Sequence, residues 1–233
     1  MIKIILPALF LLACTKGPGE SGLVMNPTPT KSSTITYLAL GDSYTIGESV
    51  SEYERWPVQL AALLRQDKTD IAEPDIIAKT GWTTAELQTA IKAANNTRQY
   101  DLVSLLIGVN NQYRGQSQEQ YRTEFRQLLQ TAVQFAGGRP GRVFVLSIPD
   151  WGVSPFAVSR DKTKIATEID QFNAIAQEES QRAGIVFVDI TPISRTALGD
   201  NTQFAADGLH FSGKQMAKWA EKAALVVRAL LPK

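Results

Sequence analysis

The sequence predicts an α/β fold in which a parallel sheet is covered by helices on both faces. Three observations predict it. Five short apolar runs recur along the chain, at 35–40, 75–78, 102–107, 142–148 and 185–190. Several are nearly continuous in apolar residues, as strands buried on both faces should be. Longer amphipathic stretches separate them, and strands alternating with helices feed a parallel sheet.

Each helix has its own signature. The stretch 56–64 is the first candidate. Thr83-Thr84-Ala85-Glu86 caps the second, with Leu87 and Ile91 beneath. Ser117-Gln118-Glu119-Gln120 reads as a capping box for the third, whose apolar face is Tyr121, Phe125, Leu128, Leu129, Ala132 and Val133. Ile165, Ile169, Phe172 and Ala176 make a further stripe. Ser212 is positioned to cap the last helix, with Met216, Trp219, Ala220, Ala223 and Val227 facing inward.

Composition narrows the class. The chain has 233 residues, 44% of them hydrophobic and 20% charged, enough for one domain with a sizeable core. A net charge of +1 argues against a nucleic-acid partner held by bulk electrostatics.

The N-terminus is read separately from the fold. Lys3 and the apolar run 4–12 have the length of a signal peptide and fall short of a bilayer span. The run ends Leu11-Leu12-Ala13-Cys14, which resembles the lipobox of bacterial lipoproteins. This predicts a signal peptide at 1–13 and a membrane anchor through lipidated Cys14. The competing reading is an ordinary secretory signal with an incidental Cys. Residues 14–33, rich in Gly, Pro, Ser and Thr, read as a flexible tether, and 34–233 as the folded domain. Gly17 to Gly22 formally matches GxGxxG, but no strand precedes it, so no dinucleotide loop follows. Thr15 is not the Asp that commonly retains lipoproteins at an inner membrane. The expected location is therefore extracytoplasmic, on the outer membrane of a Gram-negative bacterium.

In parallel α/β sheets, ligands bind beyond the carboxyl ends of the strands. Ser43 follows the first strand in Gly41-Asp42-Ser43-Tyr44. Such a Ser can be a nucleophile, a phosphate ligand or a cap, and alone the cap is the commoner case. Gly81 follows the second strand, where it can turn tightly and expose its backbone N–H. Asn110 follows the third in Gly108-Val109-Asn110-Asn111, either a turn residue or an amide donor to a developing oxyanion. Near the end, Asp207-Gly208-Leu209-His210 contains the only histidine of the chain. One His, with Cys14 as the only Cys, cannot build a His- or Cys-rich zinc site. An imidazole can act as general base, and an Asp nearby can fix its tautomer.

Together these residues occur in the order, and at the strand ends, of one known family. The sequence resembles the GDSL/SGNH hydrolases over nearly all of the chain beyond the tether. Gly41-Asp42-Ser43 matches the first block, Gly81 the second, Gly108-Val109-Asn110 the third, and Asp207 to His210 the closing DxxH. The resemblance implies a three-layer α/β/α sandwich with a central, mainly five-stranded parallel sheet of flavodoxin-like type. It implies Ser43 as nucleophile, His210 as base and Asp207 as its orienter. It implies an oxyanion hole from the Ser43 and Gly81 backbone N–H groups and the Asn110 side chain. No cofactor and no metal is implied. Two positions depart from the pattern. Tyr44 stands where GDSL has Leu, and Asn111 where the third block has Asp, which leaves loop hydrogen bonding open. The Gly-x-Ser-x-Gly elbow is absent, because Thr45 takes its last position.

The expected function is hydrolysis of carboxylic esters through an acyl-enzyme. Short acyl groups are favoured, on a small-molecule or glycan ester. Lysophospholipase and thioesterase activities of the same fold are alternatives. A non-catalytic binding lipoprotein is the alternative of another class, and a nucleotide-binding domain lacks a phosphate loop after the first strand. Residues 111–114, Trp82 and Trp151 are candidates for the pocket wall.

Overall fold

The computed structural model describes residues 34–231. The expected signal peptide at 1–13 and tether at 14–33, with Cys14, lie outside the described residues.

Five strands form one parallel sheet: β1 (Tyr37–Gly41), β2 (Asp75–Ala78), β3 (Leu102–Leu106), β4 (Val143–Leu146) and β5 (Val186–Val188), in the order β2-β1-β3-β4-β5. Each expected run coincides with a strand, though β1 extends one residue past its run to Gly41 and most other ends are trimmed for a local reason. Ile35 makes only an isolated bridge to Ile71. Arg142 closes a 3-10 turn instead of opening β4. Beyond β4, the Ile148 N–H goes to Asn173 Oδ1 at 2.7 Å. Beyond β5, the Ile190 N–H goes to Ser147 Oγ at 2.8 Å. Side-chain acceptors take the backbone donors there, and the ladder stops.

The helices are α1 (Ser43–Ile46), α2 (Trp56–Gln66), α3 (Thr84–Ala94), α4 (Val109–Tyr113), α5 (Gln118–Phe135), α6 (Lys162–Arg182), α7 (Thr191–Arg195) and α8 (Gly213–Leu230). The stretch at 56–64 is therefore not the first helix, since α1 precedes it. Neither α1 nor α4 is long enough to have an apolar period. Thr83 and Glu86 form the expected capping box on α3. The box expected on α5 is half made. Ser117 accepts from the Gln120 N–H at 3.2 Å, but the Gln120 amide turns forward to Glu124 at 2.8 Å. Ser212 caps no backbone donor of α8, because its hydroxyl donates to the Thr202 carbonyl at 3.1 Å.

Helices α2 and α8 pack together on one face of the sheet, and α3, α5 and α6 on the other. β1 and β3 are buried along their whole length, which explains their unbroken apolar sequences. The polar exception is Ser104, whose hydroxyl meets the Tyr37 phenol at 2.9 Å. From β1 the chain crosses to β2 on one side, then returns past β1 to β3 on the other. The loops that leave β1 and β3 therefore part, and a crevice opens between them.

Candidate active site

The register aligns Gly41 at the end of β1 with Leu106 at the end of β3, so both chains enter the crevice at the same height. Just past Gly41, the Asp42 side chain accepts from the Tyr44 N–H at 3.0 Å and starts α1. Ser43 is the first residue of that helix. Asp42 is fully buried, and burial pushes its carboxyl up to about 7 against the favourable N–H groups of Tyr44, Asp42 itself and Gly108. Gly108 lies near enough to favour the anion without completing a hydrogen bond to Oδ2, which has no partner.

The turn after β3 depends on Gly108. Its φ is +129°, and an added Cβ would fall 2.8 Å from the Tyr121 ring. Asn110 follows in α4 and donates one amide hydrogen to the Trp82 carbonyl at 2.9 Å. Its second amide hydrogen remains for a ligand. Arg114, also past β3, donates to the Gly81 carbonyl at 2.6 Å. These two bonds tie the loop after β2 to the loop after β3. Gly81 has φ +86°, the tight turn expected of it. Among the described residues, its N–H donates to no protein acceptor. Asn111 is buried and latches the same two loops: it accepts from the Thr84 N–H at 3.1 Å and donates to Thr84 Oγ1 at 2.6 Å and to Gln116.

Asp207 and His210 meet directly. His210 Nδ1 lies 2.6 Å from Asp207 Oδ2. Asp207 Oδ1 accepts from the Leu209 and His210 N–H groups, both at 2.9 Å, and Ser49 Oγ donates to Oδ2 at 2.8 Å. Partial burial works to raise the Asp207 pKa, but the bonds from His210, Leu209 and Ser49 hold it well below the usual carboxylate range. An anionic Asp207 assigns the ring proton to Nδ1 and leaves the Nε2 lone pair unused. Tyr44 is buried edge-on to the imidazole, with ring centroids 5.8 Å apart, and also packs on Phe211 and Trp219. The Tyr that departs from GDSL thus forms a wall of the site.

Ser43, Asn110 and His210 line one pocket of about 180 Å³, with Tyr44, Val109, Tyr113, Trp151 and Leu209. Among the described residues, the Ser43 hydroxyl makes no hydrogen bond to His210. Gly81 is on the adjoining loop, and Asp207 stands behind the imidazole. Trp151 donates from Nε1 to Gln112 Oε1 at 2.8 Å, and Gln112 in turn reaches Glu168 at 2.7 Å. Trp82 is not in the pocket wall; it is partly buried against the core. A larger groove of about 580 Å³ lies between α5 and α6, but it has no Ser, His or Asn. Its buried Glu179 is already paired with Arg122, Arg126 and Arg182. Among the described residues, no cluster of His, Cys, Asp or Glu could hold a metal ion. Sequence reasoning missed Ser49, the bond by which Gln112 (a pocket-wall candidate) instead holds Trp151 from behind, and the burial of Asp42. No local pattern marks the first two, and only position beside Ser43 marks the third.

A model of the GDSL-like lipase/acylhydrolase family matches residues 39–218. No curated protein matches the sequence. Solved structures similar to it include TesA, 20% identical, with a TM-score of 0.66 over 84% of this chain and 99% of that one. The psychrotrophic esterase EstA from Pseudoalteromonas sp. is 15% identical, with a TM-score of 0.64 over 84% of this chain and 97% of its own. The acetylxylan esterase Axe2 from Geobacillus stearothermophilus is 16% identical, with a TM-score of 0.66 over 83% and 94%. At these identities the structural likeness speaks for the fold, and the five-stranded parallel sheet with flanking helices is that of these hydrolases.

Asp42 generates a pH prediction. Its folded pKa of about 7 lies above the ordinary carboxylate value, so the folded chain binds more protons than the unfolded chain between about pH 4 and 7. Stability is therefore lost as pH rises through that window, by roughly 4 kcal/mol at most from the gap between the two values. Asp207 acts the other way, but only below about pH 4, where its ordinary pKa lies. Asp42→Asn should gain thermal stability relative to the parent as pH rises from 5 to 8. Melting curves at both pH values measure it, and a pH-independent difference would contradict the buried, proton-binding carboxyl.

Proposed function

The chain belongs to the GDSL-like lipase/acylhydrolase family, and on that premise we propose that it is a serine esterase with Ser43 as nucleophile, His210 as general base and Asp207 as its orienter. One observation carries the reading. The Ser43 hydroxyl, the Asn110 amide and the His210 imidazole line one pocket, and Asp207 holds that imidazole at 2.6 Å by the opposite nitrogen.

The reaction is acyl transfer to water in two steps. Ser43 Oγ attacks the ester carbonyl carbon while His210 Nε2 takes its proton. The carbonyl oxygen becomes an oxyanion, met by the Ser43 and Gly81 N–H groups and the free hydrogen of the Asn110 amide. The Ser43 N–H belongs to the first residue of α1, a position without an intrahelical acceptor. His210 then gives its proton to the departing alkoxide. Water attacks the acyl-enzyme with His210 again as base, and the acid leaves. Throughout, the Asp207 carboxylate stabilises the transient imidazolium.

Pocket size supports a short acyl group. About 180 Å³, walled by Val109, Tyr113, Trp151 and Leu209, suits a few carbon atoms. Tyr113 is 50% exposed and Phe156 41%, and both rings contact Trp151, so an aromatic ridge adjoins the pocket. Such faces suit the ring of a sugar alcohol, and an acylated carbohydrate is the substrate we favour. The test is a panel of esters that varies acyl length and alcohol part, with lysophospholipids and thioesters as competitors. Highest kcat/KM on long acyl chains would overturn the short-acyl reading.

For location we propose the lipid anchor at Cys14, carried by the Leu11-Leu12-Ala13-Cys14 motif. Cys14→Ser should abolish metabolic labelling with palmitate, and continued labelling at another residue would refute it.

Ser43→Ala should lower hydrolysis of an activated aryl ester by orders of magnitude without loss of folding, because nucleophile and base act as a unit. The variant should also lose labelling by a fluorophosphonate. Asn110→Ala should keep the label but lower kcat by roughly 10²–10³-fold, with KM little changed. Wild-type turnover in Ser43→Ala would remove Ser43 from the mechanism. A change in KM alone would make Asn110 a substrate-binding residue.

A further inference from the structure

Among the described residues, three other than Gly have positive φ: Ser49 at 63°, Lys68 at 65° and Asn95 at 45°. Lys68 and Asn95 close α2 and α3, where a left-handed residue is ordinary. Ser49 lies past Gly47, which already ends α1 in that conformation, at the third position of the Gly47–Val50 turn, whose Val50 N–H donates to the Gly47 carbonyl at 3.2 Å. An unusual backbone at a site asks for a cause. The turn allows the backbone, and what sets Ser49 apart is where it delivers its hydroxyl. Ser49 Oγ donates to Asp207 Oδ2 at 2.8 Å, the oxygen that also receives His210 Nδ1 at 2.6 Å.

The loop that holds Ser49 begins on the nucleophile. The Ser43 carbonyl accepts from the Gly47 N–H at 3.0 Å and from the Glu48 N–H at 2.9 Å. Glu48 accepts from Thr80, the neighbour of Gly81. One short segment thus touches the turn of Ser43, the loop of Gly81 and the carboxylate behind His210.

We propose that Ser49 is a positioning residue, which fixes the Asp207 carboxylate against His210 and limits its basicity by hydrogen bonding. The inference rests on the reading of Asp207 as the orienter of His210. With Ser49 in place, Oδ1 has two backbone donors and Oδ2 has two side-chain donors. Without the hydroxyl, Oδ2 keeps only the imidazole. The carboxylate then becomes a stronger base and stabilises imidazolium more, so the acid limb of kcat/KM moves to higher pH. The surrounding groups do not replace the lost donor. Tyr44, a phenol that burial keeps neutral, faces the imidazole ring with Asp42 and Asp150 near it, Glu48 is a carboxyl on the same loop, and Arg55 packs on Gly47. None of them hydrogen-bonds Asp207.

The experiment compares Ser49→Gly, Asp207→Asn and the double variant on a short-chain aryl ester across pH. Gly accepts the left-handed backbone, so this substitution removes the hydroxyl without strain. Ser49→Gly should keep its melting temperature, lose about 3- to 30-fold in kcat with KM little changed, and show its acid limb at higher pH. In the Asp207→Asn background the same substitution should change neither rate nor limb, since the carboxylate it acts through is gone. A wild-type profile for Ser49→Gly beside a slow Asp207→Asn would overturn the proposal alone. So would an equal loss in both backgrounds, which marks a structural role. A wild-type rate for Asp207→Asn would instead remove the premise about Asp207.

Discussion

β1 pairs with β3 so that Gly41 lies beside Leu106, and this register governs the geometry of the site. Ser43 and Asn110 are 67 residues apart in sequence, but each leaves its strand only a few residues past the aligned ends. Because β2 and β3 flank β1 on opposite sides, the two loops diverge and leave room for a ligand between them. The third loop is then drawn in by side chains: Asn110 binds the Trp82 carbonyl and Arg114 the Gly81 carbonyl. The sheet supplies the height of the site, and these bonds supply its width.

Two carboxylates at this crevice have opposite electrostatics. Asp42 is fully buried with one oxygen unpaired, and burial dominates, which raises its pKa to about 7. Asp207 is only partly buried and accepts four hydrogen bonds, which outweigh its burial and keep it anionic. The difference suits their neighbours. In the proposed reaction, a charge behind His210 favours the imidazolium that the base becomes. A carboxyl that carries little charge below neutrality can cap α1 beside Ser43 without opposing a nearby oxyanion.

Both departures from the family pattern have a structural account. Tyr44 occupies the Leu position and fills it with a ring that packs on His210, Phe211 and Trp219. Asn111 replaces the Asp and joins α4 to the start of α3 through Thr84. An amide both accepts the Thr84 N–H and donates to its hydroxyl, whereas a carboxylate could only accept. The Trp151 wall is held in a similar way, through the amide of Gln112.

What the sequence determined by itself is what near neighbours encode. The apolar runs at 102–107 and 142–148 located β3 and β4, because residues buried on both faces must be apolar in succession. Thr83 and Glu86 marked the start of α3, and Asp207 with His210 was legible as a pair, since partners three residues apart share one turn. The helices α1 and α4 were not legible, being too short for a period, nor were the strand ends that Asn173 and Ser147 cut off. The tertiary structure alone decided which loops meet. Ser49 and Asp207 are 158 positions apart, and Gln112 and Trp151 are 39 apart. Contacts at such separations depend on strand order and register, which no local pattern of residues records.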